Sequence, residues 1–274
     1  MQHIIDYYNH FDEWGRLDRE PLEFMVNLHH IVKNLPENGH LLDNGAGPGK
    51  YSLELARREY KITLIDLTPR LVEVAEQKAK ELNLWNQFEG FYALDARDLT
   101  RFPDDHFDAA LMLGPLYHLQ TAEDRAKAVS ELYRVVKPNG MVFVAFMSKS
   151  RFLLNSLLHP EHWKPNHTAH GIEKFMESGI FNHSDPGRFT GAYYFDIQEI
   201  EPFMEANGFS TLKLIGSSSI AGSMNQEQWD YWRRRGDFEY RRILEWVLKE
   251  SENPYMLGVS SHLLYIGQKT RKTG

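Results

Sequence analysis

The chain has 274 residues, 42% hydrophobic and 25% charged, enough for a full core in one α/β domain that carries a smaller cap. A formal charge of −7 argues against a protein that holds nucleic-acid backbones, and the absence of cysteine excludes disulfides, thiolate catalysis and Cys-based metal sites. Neither a basic leader with an apolar run nor a window of about 18 apolar residues is present, so a cytoplasmic protein without a membrane span is expected.

Residues 1–18 are aromatic and acidic and read as an arm or short helix. Pro21 suits a first helical turn, and Leu22, Met25, Val26, His29, Val32 and Leu35 fall on one face, so a helix is expected from Pro21 to Leu35. A strand over His40 to Asp43 leads into Gly45-Ala46-Gly47-Pro48-Gly49, a turn rich enough in glycine for positive φ and for close approach of a ligand to the backbone. Helix, strand, helix and strand follow at 50–59, 61–66, from Pro69 to Leu82, and at 88–93. Phe107 to Leu113 is a near-continuous apolar run and reads as a central strand. Thr121 caps a helix to Val136, with Ala126, Val129, Leu132, Tyr133 and Val136 facing inward. Pro138-Asn139-Gly140 then turns into a fifth strand at Met141 to Phe146.

After Ser150 the alternation breaks, and residues 151–195 read as an inserted cap over the cofactor end of the sheet. A helix capped by Asp196, a strand at 209–215, a helical region at 226–250 interrupted by Gly236 and a last strand at 258–268 complete the chain. The expected division is an N-terminal arm and helix (1–39), a cofactor-binding core (40–150), the cap (151–195) and a C-terminal completion of the sheet (196–274). Strands alternating with helices give a doubly wound, mostly parallel sheet.

Asp43, Asp66 and Asp95 end three successive strands, where open parallel sheets bind their ligands. Asp66 lies at the distance from the glycine turn at which a carboxylate meets ribose hydroxyls. The turn does not fit a Walker loop, because Lys50 precedes Tyr51, and its Gly-x-Gly-x-Gly spacing departs from the dinucleotide fingerprint. Asp43-Asn44-Gly45-Ala46-Gly47-Pro48-Gly49, Asp66, Asp95-Ala96 and Leu113-Gly114-Pro115-Leu116-Tyr117-His118 resemble, in order, the signature motifs of class I S-adenosylmethionine-dependent methyltransferases. One departure is Asn44, where that family usually has an apolar residue.

The resemblance implies a Rossmann-like fold with a seven-stranded sheet and S-adenosylmethionine as cofactor, leaving as S-adenosylhomocysteine. Gly45, Ala46 and Gly47 would lie against its methionine part, with Asp43 near the ammonium, Asp66 on the ribose and Leu67 against the adenine. Asp95 and Ala96 would meet the adenine amino group, and Leu113 and Gly114 would lie beneath the sulfonium. Tyr8 and Arg16 of the arm are candidates for the methionine carboxylate. His118 is the candidate general base, while Tyr117, Phe189, Tyr193 and Tyr194 are candidates for the wall of an acceptor pocket.

The expected function is methyl transfer to a small-molecule O or N acceptor. A non-catalytic S-adenosylmethionine sensor and an RNA or protein methyltransferase are the alternatives. No nucleic-acid or membrane partner is expected. His159-x-x-His162 and His167-x-x-His170 lack acids or cysteines at matching spacing, so no metal is expected. The aromatic and basic stretch from Trp229 to Arg242 reads as amphipathic helix.

Overall fold

The computed structural model describes residues 2–15, 21–185 and 188–270. Seven strands form one sheet: β1 (His40–Asn44), β2 (Lys61–Asp66), β3 (Phe88–Ala93), β4 (Phe107–Met112), β5 (Val136–Met147), β8 (Phe209–Gly216) and β9 (His262–Lys269). Their spatial order is β3-β2-β1-β4-β5-β9-β8, with β9 antiparallel to both neighbours and the first five strands parallel. The chain is therefore the doubly wound, mostly parallel sheet that strand–helix alternation implies. Strand order reverses between β1 and β4, so a crevice opens at their carboxyl ends.

Helices cover both faces. On one face lie α2 (Pro21–Asn34), α3 (Lys50–Ala56) and α4 (Pro69–Glu81), packed with Val26, Ile31, Leu55 and Ala75 against Leu41, Ile62, Leu64 and Phe143. The other face carries α5 (Ala122–Val135) and α8 (Ile197–Ala206), whose Val129, Leu132, Ile200 and Met204 meet Leu42, Ala110, Val142 and Val144. Thr121 caps α5 by accepting from the Asp124 amide. The buried face of α5 differs from the expected one: Ala126 is exposed, and Arg125 is buried in its place. Arg125 Nη1 donates to the carbonyls of Leu119 and Gln120, and its guanidinium lies 3.4 Å from the Tyr193 ring centre. Hydrogen bonds and aromatic stacking thus cover a cation that hydrophobic periodicity cannot foresee.

The turn at Pro138–Gly140 lies inside β5. Val136 pairs with Phe107 and Met141 with Ala109, so the residues between them bulge, with Asn139 at φ 64°. Between β5 and α8 come α6 (Lys149–Leu158), α7 (Ala169–Ser178) and a hairpin of β6 (Ile180–Phe181) and β7 (Ala192–Tyr193). Phe152, Phe175, Phe181 and Tyr194 give this insertion an aromatic core of its own, so it is more regular than its prolines suggested. Asp196 begins α8 without a side-chain cap bond, because its carboxylate accepts from Lys149 Nζ at 2.6 Å. The helical region after β8 is two helices, α9 (Gln226–Arg234) and α10 (Asp237–Ser251), with Gly236 at φ 103° between them.

The N-terminal helix α1 (Gln2–His10) lies over the carboxyl end of the sheet, where Arg70 of α4 donates to the carbonyls of Tyr8 and Phe11. Among the described residues no helix is long and apolar enough to cross a membrane.

Candidate active site

Three positive-φ glycines shape the turn after β1: Gly45 at 77°, Gly47 at 57° and Gly49 at 82°. The backbone amides of Gly45 and Ala46 both donate to the Ile65 carbonyl, which draws the turn across the end of β2. A Cβ on Gly45 would stand 2.1 Å from Pro115 Cγ, so the turn after β4 closes on this backbone only because no side chain intervenes. At Gly47 the same construction meets nothing nearer than Glu13 Cγ at 3.6 Å, which leaves its backbone open to the crevice.

A cavity of about 120 Å³ occupies the crevice. Asp43, Gly45, Ala46, Gly47, Asp66, Leu67, Asp95, Ala96, Leu113, Gly114, Tyr117, His118 and Tyr8 all line it. Residues that sequence reasoning missed here, among them Ile4, Glu13 and Glu23, belong to the arm and to α2, and no strand-end spacing marks them. Arg16 lies outside the described residues.

Burial lifts the Asp43 carboxyl to about 7, against the opposing hydrogen bond from Ser52 Oγ at 2.6 Å, and the nearby Asp66 charge adds to the rise. Burial raises Asp66 also, while the amides of Thr68 and Gly47, each 2.8 Å from it, favour its charged form. No described Lys, Arg or His forms an ion pair with either acid. Asn44 is 1% exposed, and neither its Oδ1 nor its Nδ2 has a hydrogen-bond partner. Buried polar atoms are normally paired. An uncompensated acid pair beside an unsatisfied amide and an open glycine backbone fits a cationic ligand with an amino-acid end and a ribose, which describes S-adenosylmethionine. Asp95 differs from the other two acids. Burial raises it, but the hydrogen bonds from Arg97 outweigh burial and leave it lowered.

Tyr8 Oη lies 3.0 Å from His118 Nε2, joining the arm to the turn after β4. The His118 ring also packs 5.4 Å from Phe189, which in turn lies 6.1 Å from Tyr7. Beyond them a second cavity, of about 920 Å³, is bordered by the arm, α2, α6, α9 and α10. Tyr117, Phe189 and Tyr194 line it, whereas Tyr193 lines neither cavity. Successive strand residues face opposite ways, and Tyr193 of β7 turns to Arg125 instead. Trp229, Arg233 and Tyr240, from the stretch expected to be amphipathic helix, also line this cavity. The two His-x-x-His pairs line neither cavity, and among the described residues no group of three His, Asp or Glu is placed to hold a metal.

The profile of a methyltransferase domain matches residues 42–144, from the middle of β1 to near the end of β5. Residues 42–144 thus form a methyltransferase domain. The chain is 34% identical over 113 residues to a putative methyltransferase of Bacillus subtilis, covering 41% of this chain and 44% of that protein. A ubiquinone/menaquinone biosynthesis C-methyltransferase of Geotalea daltonii is 31% identical over 152 residues, covering 54% of this chain and 60% of that protein. The chain thus spans about half the length of these curated relatives. A solved S-adenosylmethionine-dependent methyltransferase from Methanosarcina mazei shares the fold, with TM-score 0.60 and 22% identity, covering 89% of this chain and 98% of that one. The methyltransferase domain therefore supplies most of the crevice's lining, while most of the larger cavity's wall comes from residues outside the matched segment.

Proposed function

We propose that the whole chain transfers a methyl group from S-adenosylmethionine to a small molecule held in the larger cavity. The observation that carries this reading is that Tyr8, Glu13, Glu23 and Tyr117 line both cavities, so an acceptor in one adjoins the cofactor end of the other. A pocket of this size with aromatic walls suits a small, partly aromatic acceptor.

Bound in the crevice, the cofactor supplies an electrophilic methyl on a cationic sulfur. Asp43 and Asn44 hold its amino-acid end, Asp66 accepts from the ribose hydroxyls, and Leu67, Asp95 and Ala96 seat the adenine. Leu113 and Gly114 form the floor at the sulfur. Tyr117, Phe189 and Tyr194 set the acceptor's plane, and alignment of nucleophile, carbon and sulfur supplies much of the rate. The Geotalea relative is named as a C-methyltransferase of quinone biosynthesis, which extends the acceptor atom from the O or N expected from sequence to carbon. Residues 151–195 serve as the cap over this acceptor.

Calorimetry with S-adenosylmethionine and S-adenosylhomocysteine, run beside a labelled-methyl screen of phenols, quinols and amines, tests the proposal. Binding of both with transfer to a small molecule is expected. Binding without transfer to any acceptor class supports a sensing module instead, and transfer only to RNA or protein overturns the small-molecule reading.

A further inference from the structure

The larger cavity contains an imidazole that no sequence motif marks. His262 opens β9 beside Met147 of β5, and its backbone carbonyl accepts from the Ser217 amide at 3.0 Å, so its backbone is fixed from both sides. Its Nδ1 lies 3.1 Å from Glu23 Oε2 of α2, with both side chains 19% exposed. A carboxylate beside Nδ1 favours the proton on that nitrogen, which in the neutral ring leaves the lone pair on Nε2. No described residue hydrogen-bonds Nε2, and that atom is not sealed from solvent. Glu23 and Tyr117 line both cavities, and Tyr117 packs its ring 5.6 Å from that of His262. The imidazole thus stands where acceptor and cofactor meet. His118, in contrast, has its Nε2 against the Tyr8 hydroxyl.

We infer that His262, oriented by Glu23, is the general base that takes the proton of a phenolic or enolic acceptor; this rests on the methyl-transfer reading above. The O–H bond breaks and its proton goes to Nε2. The freed pair on oxygen forms the bond to the methyl carbon, and the methyl–sulfur bond breaks with its pair left on sulfur. When the ring carbon beside the oxygen takes the methyl instead, loss of that carbon's proton restores the O–H. Glu23 is the positioning residue: it fixes the tautomer and its charge offsets the imidazolium that forms. The ionisable groups facing His262 are Glu23 from α2 and Tyr117 from the turn after β4, and Arg151 of α6 and Arg233 of α9 line the same cavity.

The test uses the full chain saturated with S-adenosylhomocysteine and 4-nitrophenol as probe, because the absorbance of its phenolate reports proton loss without turnover. The bound probe is expected to ionise about one pH unit below the free probe. His262→Gln and Glu23→Gln should abolish that shift, and Glu23→Asp should restore part of it. An unshifted bound probe, a shift that survives His262→Gln, or no probe binding overturns the inference. Calorimetry of S-adenosylhomocysteine is run on each protein. If the wild-type chain fails to bind it, the methyl-transfer reading falls, whereas binding with no probe shift defeats only the base. If His262→Gln alone loses this binding, Glu23→Gln decides by the same spectrum.

Discussion

Asp43 gives the site a measurable cost. Its ordinary value is 3.8, and burial lifts it to about 7 in the folded chain. The folded state therefore binds this proton more tightly than the unfolded state, so the Asp43 contribution to stability is greatest below pH 4 and falls as pH rises toward 7. Each unit is worth about 1.4 kcal/mol, so about three units amount to about 4 kcal/mol, and the two units between pH 5 and pH 7 account for about 3 kcal/mol. Asp43→Asn removes this charge and keeps an oxygen to accept from Ser52. Urea denaturation of both proteins at pH 5 and pH 8 should show the variant gaining about 3 kcal/mol on the wild type over that interval. Titrating groups remote from Asp43 contribute equally to both proteins and cancel, while relief of the repulsion with Asp66 in the variant acts in the same direction as the loss of the Asp43 charge. A gap that does not change with pH, or a variant less stable at pH 8, refutes the argument. The same charge favours a cationic ligand, so wild-type affinity for S-adenosylmethionine should tighten from pH 5 to pH 8 and that of Asp43→Asn should not.

Gly45→Ala combines a left-handed φ of 77° with a Cβ at 2.1 Å from Pro115, and should destabilise the fold by about 2–5 kcal/mol in urea denaturation. A loss below about 1 kcal/mol would mean that the two turns are not locked together. Asp66→Ala should weaken S-adenosylhomocysteine at least about tenfold in calorimetry, since a hydrogen bond to a charged group contributes about 1.5–3 kcal/mol; unchanged affinity would remove the ribose assignment. His30 is 1% exposed, donates or accepts through Nε2 at 2.8 Å from Ser251 Oγ, and is held neutral by burial, which lowers it to about 4. The folded state takes its proton last, so stability falls from pH 6.5 toward pH 4, by about 3 kcal/mol in all. His30→Gln should flatten that acid limb, and an unaltered limb would count against the burial account.

Repeated local rules made half of this molecule readable. Apolar runs end in acids at Asp43 and Asp66, and the structure places both where the turns after β1 and β2 meet. Thr121 acts through its side chain on the adjoining turn, and Pro69 and Gly236 through their own backbone geometry, so each boundary lies within a residue or two of its signal. Legibility failed where a residue answers to a distant one. Tyr193 and Tyr194 are indistinguishable in composition, yet one stacks on Arg125 and the other fills the insertion's aromatic core beside the larger cavity. Trp229, Arg233 and Tyr240 looked like one face of an ordinary helix because their partners lie across a cavity that local periodicity does not encode. Asn44 shows the reverse case: a polar residue in an apolar slot stood out in the sequence, and its unpartnered amide gives that departure a place in the crevice.

The antiparallel strand explains why the acceptor side was the harder half. Parallel strands present their final residues to the crevice, as β1 does with Asp43 and Asn44, and the following turn is adjacent in sequence. β9 runs the other way between β5 and β8, so it brings its first residue, His262, and the preceding Ser261 to that same end. A base on this strand is therefore separated from the cofactor motifs by more than a hundred residues and follows no carboxyl-end signature. Its partner, Glu23, comes from the helix that precedes β1, so the pair forms only when the two ends of the chain close over the sheet. Most of the crevice's lining comes from one contiguous segment, to which the arm and α2 add Ile4, Tyr8, Glu13 and Glu23, whereas the proposed acceptor site needs the full tertiary fold. Loosening the contact between α2 and the start of β9 should therefore impair proton removal before it impairs cofactor binding.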